Sequence, residues 1–202
     1  MVRIATIAAG LLLAIAWTSP PASADPFSDL TKSGTDSCFR RDYDANHLRH
    51  DPRQQTTSMV VWIRAEDSKA GANVGLATVR RGDPQPLFLS ASCEWSDDQS
   101  WMKSYLKREG AGCITLAVPD VFESSSAEEG GGVILDPAAN GRSLMVHVDD
   151  IQTMVKRANR RRKISVKFGP DDRVFLLRRT HAKDCDFVKD AILTPEPGVR
   201  AR

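Results

Sequence analysis

The residue types that could carry chemistry occur in three clusters along this sequence of 202 residues. The first cluster lies between residues 42 and 51 and contains metal-type ligands, namely Asp42, Asp44, Asn46, His47, His50 and Asp51. It begins like a calcium loop, but such a loop requires glycine at its sixth position and glutamate at its twelfth, where this chain has His47 and Arg53. His47 and His50 could face one zinc ion from a single helical turn, yet no third ligand follows at a spacing that zinc sites use. We therefore expect no bound metal and interpret the segment as a surface turn before Pro52.

The second cluster combines acids with tryptophans and consists of Glu94, Trp95, Asp97, Asp98 and Trp101. Paired carboxylates beside aromatic platforms are typical of glycoside hydrolases, which makes a glycan-directed enzyme one hypothesis. The same acids also fit the start of a helix, because Ser96 and Gln99 have the spacing of a capping box. The motifs Gly-x-Ser-x-Gly and His-Glu-x-x-His, typical of hydrolases, are absent from the sequence. We therefore assign no catalytic residue and favour a noncatalytic protein.

The third cluster is a run of six cations, namely Lys156, Arg157, Arg160, Arg161, Arg162 and Lys163. Such a run can bind the phosphate or sulfate groups of an envelope polymer. No aromatic residue lies within it, so base stacking and specific recognition of nucleic acid are not expected. The alternative is a solvated basic turn facing the acidic middle of the chain: residues 82–150 have 4 basic and 12 acidic side chains, whereas residues 151–202 have 14 and 6. The sequence leaves both interpretations open.

Residues 1–24 have the composition of an export signal. Arg3 supplies the positive charge, the stretch Ile4–Trp17 is apolar, and Ala22-Ser23-Ala24 provides the small residues that signal peptidase accepts. No later stretch approaches the roughly 20 apolar residues of a membrane span. We therefore expect a periplasmic or secreted protein without a membrane span. Because the general export pathway carries unfolded chains, we also expect no cofactor.

The four cysteines all follow the predicted signal, and an even number in an exported chain predicts two disulfides. Four cysteines allow three different pairings. We favour Cys93 with Cys113, which closes a local loop, and Cys38 with Cys185, which ties the two ends of the domain together.

Short apolar segments separated by turn residues predict a mainly β fold. We expect an antiparallel sandwich or open barrel of about eight short strands. The predicted strands are Thr57–Ala65, Asn73–Arg81, Leu87–Cys93, Cys113–Val118, Gly132–Leu135, Ser143–Val148, Lys163–Phe168 and Arg173–Arg179. The turn residues Gly169–Asp172 predict a hairpin between the last two strands.

One or two short helices are expected to interrupt the strands. Ser96–Leu106 has an apolar stripe at helical spacing after its capping box. Asp149–Asn159 is the second candidate, although a strand fits its apolar spacing nearly as well. We expect one domain, residues 38–193, between flexible tails at 25–37 and 194–202.

Residues 38–57 contain a pattern made of Cys38, Arg41, Tyr43, Asp44, Ala45, His47, Leu48, Pro52, Gln54 and Thr57. This pattern resembles a segment of small exported proteins of unassigned function from Gram-negative bacteria. The resemblance implies an exported domain with two disulfides, and it implies no particular activity. We therefore expect a noncatalytic binding or inhibitor-like module of the cell envelope, whose partner is an unknown envelope protein or an anionic polymer.

Overall fold

The computed structural model describes residues 30, 35–65, 71–96, 110–116, 129–148, 150–157 and 160–193. Ten strands dominate these residues, which confirms the mainly β prediction. The strands are β1 (Ser37–Asp42), β2 (Thr56–Ala65), β3 (Gly71–Arg80), β4 (Asp83–Ser96), β5 (Gly110–Leu116), β6 (Glu129–Pro137), β7 (Ser143–Val148), β8 (Ile151–Arg157), β9 (Arg160–Val166) and β10 (Val174–Thr180). Two short helices, α1 (Ala45–His50) and α2 (Asp186–Leu193), and two 3-10 turns, Pro170–Asp172 and Ala182–Cys185, accompany the strands. In the part of the chain described here, no helix is long and apolar enough to cross a membrane.

Eight of the strands form one closed barrel in the order β1-β10-β7-β6-β5-β4-β3-β2, and β2 pairs back to β1. Every neighbouring pair in the barrel is antiparallel. The expectation of a sandwich or an open barrel is corrected here, because β1 pairs with both β2 and β10 and so closes the sheet. The remaining strands, β8 and β9, pair with each other and form a separate two-stranded sheet, the β8–β9 ribbon.

The side chains of β2 explain why this strand is buried on both faces. Met59, Val61 and Ile63 belong to the barrel core and are fully buried. Val60 and Trp62 belong to a second apolar cluster on the outside of the barrel, and they are buried too. The sequence predicts this division into two faces, which follows from the two-residue period of a strand.

Helix α2 covers the outside of β2 and β3 with two side chains one helical turn apart, Val188 and Ile192. Gly75 of β3 lies directly beneath them, and a Cβ atom there would meet Ile192 Cδ1 and come within 2.9 Å of Val188 Cγ1. The absence of a side chain therefore lets the helix approach the strand. A disulfide between Cys38 of β1 and Cys185 fastens the chain just before α2 to the barrel.

The second disulfide joins Cys93 of β4 to Cys113 of β5, two directly paired residues inside the barrel core. The two disulfides are thus the pairs that the sequence analysis favours. The β8–β9 ribbon also contributes to the core, because Ile151 and Val166, paired at one end of the ribbon, are buried there.

A charge cluster ties the start of β1 to β2 and α2. Asp36 accepts hydrogen bonds from Arg64 Nε at 2.7 Å, Arg64 Nη2 at 2.9 Å and Lys189 Nζ at 3.1 Å. Burial alone would raise the pKa of Asp36, but these hydrogen bonds outweigh it and hold the pKa below its usual value. Asp36 and the fully buried Leu30 both lie within the predicted tail of residues 25–37, so parts of that segment belong to the folded domain.

Two local predictions are wrong, and a third lies mostly outside the described residues. Gly169–Asp172 does not join a hairpin, because β9 pairs with β8 whereas β10 pairs with β1 and β7. The helical alternative for Asp149–Asn159 is also wrong, since residues 151–157 of this segment form β8. Of the predicted helix Ser96–Leu106, only Ser96 is described, and it ends β4. Turn residues show that the chain reverses, but they do not show which strand becomes the partner.

Gly75→Val is expected to destabilise the protein by about 1–3 kcal/mol, because the added side chain overpacks the contact between β3 and α2. Urea unfolding followed by far-UV circular dichroism measures the change. Gly132→Val in β6 is the matched control, since a Cβ atom there would meet nothing within 4 Å. An equal loss of stability in both variants would contradict this account of the helix contact.

Asp36→Asn removes a carboxylate whose pKa is lower in the folded protein than in the unfolded chain. Such a group stabilises the fold above its unfolded pKa, about 3.9, and this stabilisation is lost as the pH falls through the lower folded pKa. Wild type is therefore expected to exceed the variant in stability by about 1–3 kcal/mol at about pH 7. The difference should shrink below about pH 4.

Urea unfolding of both proteins from about pH 7 to about pH 2.5 tests this expectation across the window in which the carboxylate titrates. Asp190→Asn, at an exposed position of α2, is the matched control and should change stability little at any pH. A wild-type advantage that stays constant over the whole pH range would show that the Asp36 charge does not stabilise the fold.

Candidate functional site

The ladder that closes the barrel between β1 and β10 is short. β1 pairs with β2 as far as Asp42, but its ladder with β10 contains three residue pairs and ends at Arg40 opposite Arg178. The part of β10 from Val174 to Leu177 pairs with β7 but is not part of the ladder with β1. We call the stretch beyond the short ladder the β1–β10 seam, and a surface cleft lies along it.

The cleft has a volume of about 390 Å³, which is at the small end of the range for small-molecule sites. Its lining residues are Arg41, Tyr43, His47, Asp51, Gln54, Asp171, Val174 and Leu176. They come from the end of β1, from the segment that connects β1 to β2, and from β10 with the turn before it. The barrel closure therefore brings together two parts of the chain that are distant in sequence.

The segment between β1 and β2 is held at both ends of α1. Asp44 caps the helix, because its carboxylate accepts a hydrogen bond from the His47 amide at 2.8 Å. Arg81, which follows β3, donates from its guanidinium to three main-chain carbonyls at the other end, those of Leu48, Asp51 and Gln54. The bond to Leu48 pairs a carbonyl at the end of the short helix, and the other two bonds hold the segment that follows it.

Two adjacent aspartates in the turn before β10 hold the next part of the same segment. Asp172 is 1% exposed and accepts hydrogen bonds from the amides of Gln55 at 2.7 Å and Thr56 at 2.9 Å. Asp171 accepts two hydrogen bonds from Arg53, at 2.9 and 3.0 Å. The backbone on both sides of the cleft is thus fixed before any ligand binds.

Tyr43 is half-buried where the cleft meets the barrel core. Its ring centroid lies 6.4 Å from that of the core residue Phe175 and 4.7 Å from that of His47. Burial raises the pKa of the Tyr43 hydroxyl and Asp172 raises it further, which together outweigh the opposite effect of Arg41. The hydroxyl therefore stays protonated at neutral pH and can donate a hydrogen bond.

His47 is oriented by Gln54. The Gln54 amide nitrogen donates to the Thr56 carbonyl at 2.8 Å, which turns the amide oxygen Oε1 toward the imidazole. Nε2 of His47 then donates to Gln54 Oε1 at 3.0 Å, so a neutral ring carries its proton on Nε2. Asp51 Oδ2 lies 3.5 Å from the same nitrogen. These contacts hold the imidazole against the Tyr43 ring.

Arg41 supplies positive charge to the cleft. Its guanidinium carbon lies 5.2 Å from the centroid of the Tyr43 ring, a distance typical of a cation–π contact. Among the described residues, no carboxylate forms an ion pair with Arg41, and its buried Nε has no hydrogen-bond partner. Asp171, by contrast, is paired with Arg53. Arg41 is therefore a cation of the lining without a carboxylate partner in the described structure.

Two aliphatic side chains complete the cleft. Val174 is 51% exposed and Leu176 is 45% exposed, at alternate positions on the outer face of β10. Exposed aliphatic side chains that border a polar cleft are a feature of ligand sites, because they offer apolar surface for burial. The cleft can therefore bind a ligand that has both a charged end and an apolar part.

The metal-type side chains between residues 42 and 51, for which no bound metal is expected, do not form one cluster. Nδ1 of His50 donates to the Asn46 carbonyl at 2.8 Å, within α1, whereas His47 contacts Gln54. No group of three or more His, Cys, Asp or Glu side chains in the described ranges could hold a metal ion. Of these six side chains, His47 and Asp51 line the cleft.

The other two predicted clusters do not contribute to the cleft lining. Glu94 and Trp95 lie on β4, whereas Asp97, Asp98 and Trp101 lie outside the described residues. The basic cluster lies on the β8–β9 ribbon, with Lys156 and Arg157 on β8 and Arg160, Arg161, Arg162 and Lys163 on β9.

Three residues of the cleft, Arg41, Tyr43 and Gln54, were not candidate site residues in the sequence analysis. They appear there only as members of the pattern at residues 38–57. Their type is the available signal, because charged, aromatic and amide side chains are concentrated around a short helix. Val174 and Leu176 carry no such signal, since exposed and buried aliphatic residues look alike in a strand sequence.

Known proteins provide no template for this site. No protein-family model matches the chain, no curated protein is significantly similar to it, and no solved structure matches it significantly. The candidate site therefore rests on the geometry and chemistry of the described residues.

Proposed function

We propose that the protein is an exported, noncatalytic binding module of the cell envelope and that the cleft at the β1–β10 seam is its ligand site. The observation that carries this proposal is the combination of Arg41, which has no described carboxylate partner, with the exposed aliphatic side chains of Val174 and Leu176. Two disulfides fit the oxidising compartment that export would reach.

The contacts of the cleft side chains favour binding over catalysis. The raised pKa of Tyr43 disfavours the tyrosinate that nucleophilic or general-base chemistry would need. Asp171 is neutralised by Arg53, and the Nε2 proton of His47 is directed to Gln54. These side chains can recognise a ligand by hydrogen bonding and charge without reacting with it.

The positions of the backbone also support a binding role. Arg81 and Asp172 bond to main-chain groups of the segment that carries Tyr43, His47 and Gln54. A preformed site loses less conformational entropy on binding, so a small cleft can still bind measurably.

Small probes test the proposal. Nuclear magnetic resonance titration with hexanoate, hexanol and hexylamine is expected to shift amide signals of residues 41–54 and 174–176 for at least one probe. Leu176→Trp should weaken that binding by about tenfold or more, because the larger side chain occupies the cleft.

Leu193→Trp is the matched control for the cleft variant. Leu193 is an exposed leucine on α2, away from the cleft, so this variant should bind as wild type does. The proposed site would be wrong if no probe shifts the cleft amides, or if Leu176→Trp binds as tightly as Leu193→Trp.

A second candidate function is binding of anionic polymers by the β8–β9 ribbon. The basic cluster lies in a sheet separate from the barrel, and the ladder pairs Lys156 with Arg161 and Arg157 with Arg160. Like charges at directly paired positions are unfavourable, and a bound polyanion relieves their repulsion. We propose a phosphorylated or sulfated envelope polymer as the ligand of this ribbon.

The triple change Arg160→Ser, Arg161→Ser and Arg162→Ser is expected to alter stability by within about 1 kcal/mol. It should also flatten the salt dependence of heparin binding, because fewer counterions are released when fewer cations make contact. Heparin affinity measured over a range of salt concentrations checks the second effect, and urea unfolding checks the first.

The control is a triple change to serine at three exposed cations of other elements, Arg142, Arg173 and Lys183. This control should keep the wild-type salt dependence. An unfolded ribbon variant would show that the cluster stabilises the domain instead, and no wild-type binding to heparin at low salt would end the polymer proposal.

A further inference from the structure

We infer that the cleft takes an organic monocarboxylate with a short aliphatic tail, and that the ligand carboxylate binds the guanidinium of Arg41. This inference rests on the proposed function, because it names the ligand class of the same cleft. It follows from the charge balance of the lining, the environment of Arg41 and the position of the aliphatic side chains.

The positive charge of the lining is local to Arg41, which has no carboxylate partner among the described residues. Asp171 is paired with Arg53 at 2.9 Å, and Asp51 lies 3.5 Å from His47 Nε2 with 49% of its side chain exposed. The Asp51 carboxylate disfavours phosphate esters and other multiply charged anions. A ligand with a single carboxylate can place that group at Arg41.

The guanidinium of Arg41 has unused hydrogen-bonding capacity and contacts the Tyr43 ring. Its Nε is buried with no hydrogen-bond partner in the described part of the chain, and a buried donor left unpaired is costly. The guanidinium carbon lies 5.2 Å from the centroid of the Tyr43 ring, which restricts where the guanidinium can move. A carboxylate bound at the terminal nitrogens of the guanidinium would add charge-assisted hydrogen bonds.

The shape of the guanidinium selects the anion. Its donors lie in one plane and match the two oxygens of a carboxylate, so both can bind at once. The neighbouring Tyr43 hydroxyl is uncharged at neutral pH, as in an ordinary tyrosine, and burial raises its pKa further, so it does not repel the anion. A carboxylate fits these groups better than an uncharged alcohol does.

The tail of the ligand is limited by the apolar surface and by the volume. Val174 and Leu176 are the aliphatic residues of the lining, and each has about half of its surface exposed. A cleft of about 390 Å³ that also contains the polar groups leaves room for a chain of a few carbons. Burial of this chain against the two side chains adds affinity through the hydrophobic effect.

Titrations of the wild-type protein with hexanoate, hexanol and hexylamine test the inference. Hexanoate is expected to bind at the cleft about tenfold or more tightly than hexanol, and hexylamine should bind most weakly. The dissociation constants come from the shifts of the cleft amides. This comparison needs no variant, so it does not depend on the folding of an altered protein.

Substitution of the anchor provides the second arm. Arg41→Gln should lower hexanoate affinity to the level of hexanol, whereas Arg41→Lys should give an intermediate affinity because it keeps the charge but loses the planar donors. Arg40→Gln is the matched control. Arg40 is the preceding arginine, lies outside the cleft lining and pairs with Asp42, so its loss should leave hexanoate affinity unchanged.

The outcomes separate this inference from the proposed function. Equal binding of hexanoate and hexanol, both blocked by Leu176→Trp, would overturn the carboxylate inference and leave the binding cleft in place. Tighter binding of hexylamine, or an Arg41→Gln variant that keeps the preference for hexanoate, would also overturn it. If no probe reaches the cleft, both the inference and the proposed function fail.

Discussion

Closure of the barrel through β1 is the constraint on which the rest of this structure depends. β1 pairs with β2 along its whole length but with β10 over three residue pairs, and an incompletely paired edge exposes main-chain groups. Other contacts reinforce both ends of the strand. The Cys38–Cys185 disulfide and the ion pairs of Asp36 join its start to the region of α2. After the end of β1, Tyr43 packs against the core. Further along the same segment, the amides of Gln55 and Thr56 donate hydrogen bonds to Asp172.

The hydrogen bonds that hold the chain beside the β1–β10 seam also position the candidate site. Asp172 is a buried carboxylate, which is costly unless its oxygens accept hydrogen bonds, and the amides of Gln55 and Thr56 provide these. Arg81 does the same for the carbonyl groups around α1. The cleft side chains of the segment after β1 therefore project from a backbone that Asp172 and Arg81 hold in place, which favours precise recognition.

The architecture also determines where binding can occur. The interior of the barrel is filled by its apolar core, so a ligand must use the outer surface, and the seam is a place where polar and aliphatic groups meet on it. Arg41 lies there without a described carboxylate partner, and Leu176 lines the same cleft. The β8–β9 ribbon differs in composition, since its ladder pairs cations with cations. The two proposed ligands, a small anion and an anionic polymer, therefore belong to separate elements of one domain.

Local features of this protein can be read from its sequence: the mainly β composition and the alternation that divides β2 into two faces around Met59 and Trp62. The sequence also favours the two observed disulfides, although it allows three pairings. It did not reveal β1, because Ser37–Asp42 is short and half charged, nor the closure that β1 provides. The cleft escaped prediction for the same reason, since Arg41 and Leu176 meet only after β1 is placed beside β10. Alternation along a strand reports which side chains share a face, whereas pairing between distant strands depends on the burial and hydrogen bonding of the whole sheet. Only the tertiary structure decides that pairing, and with it the site.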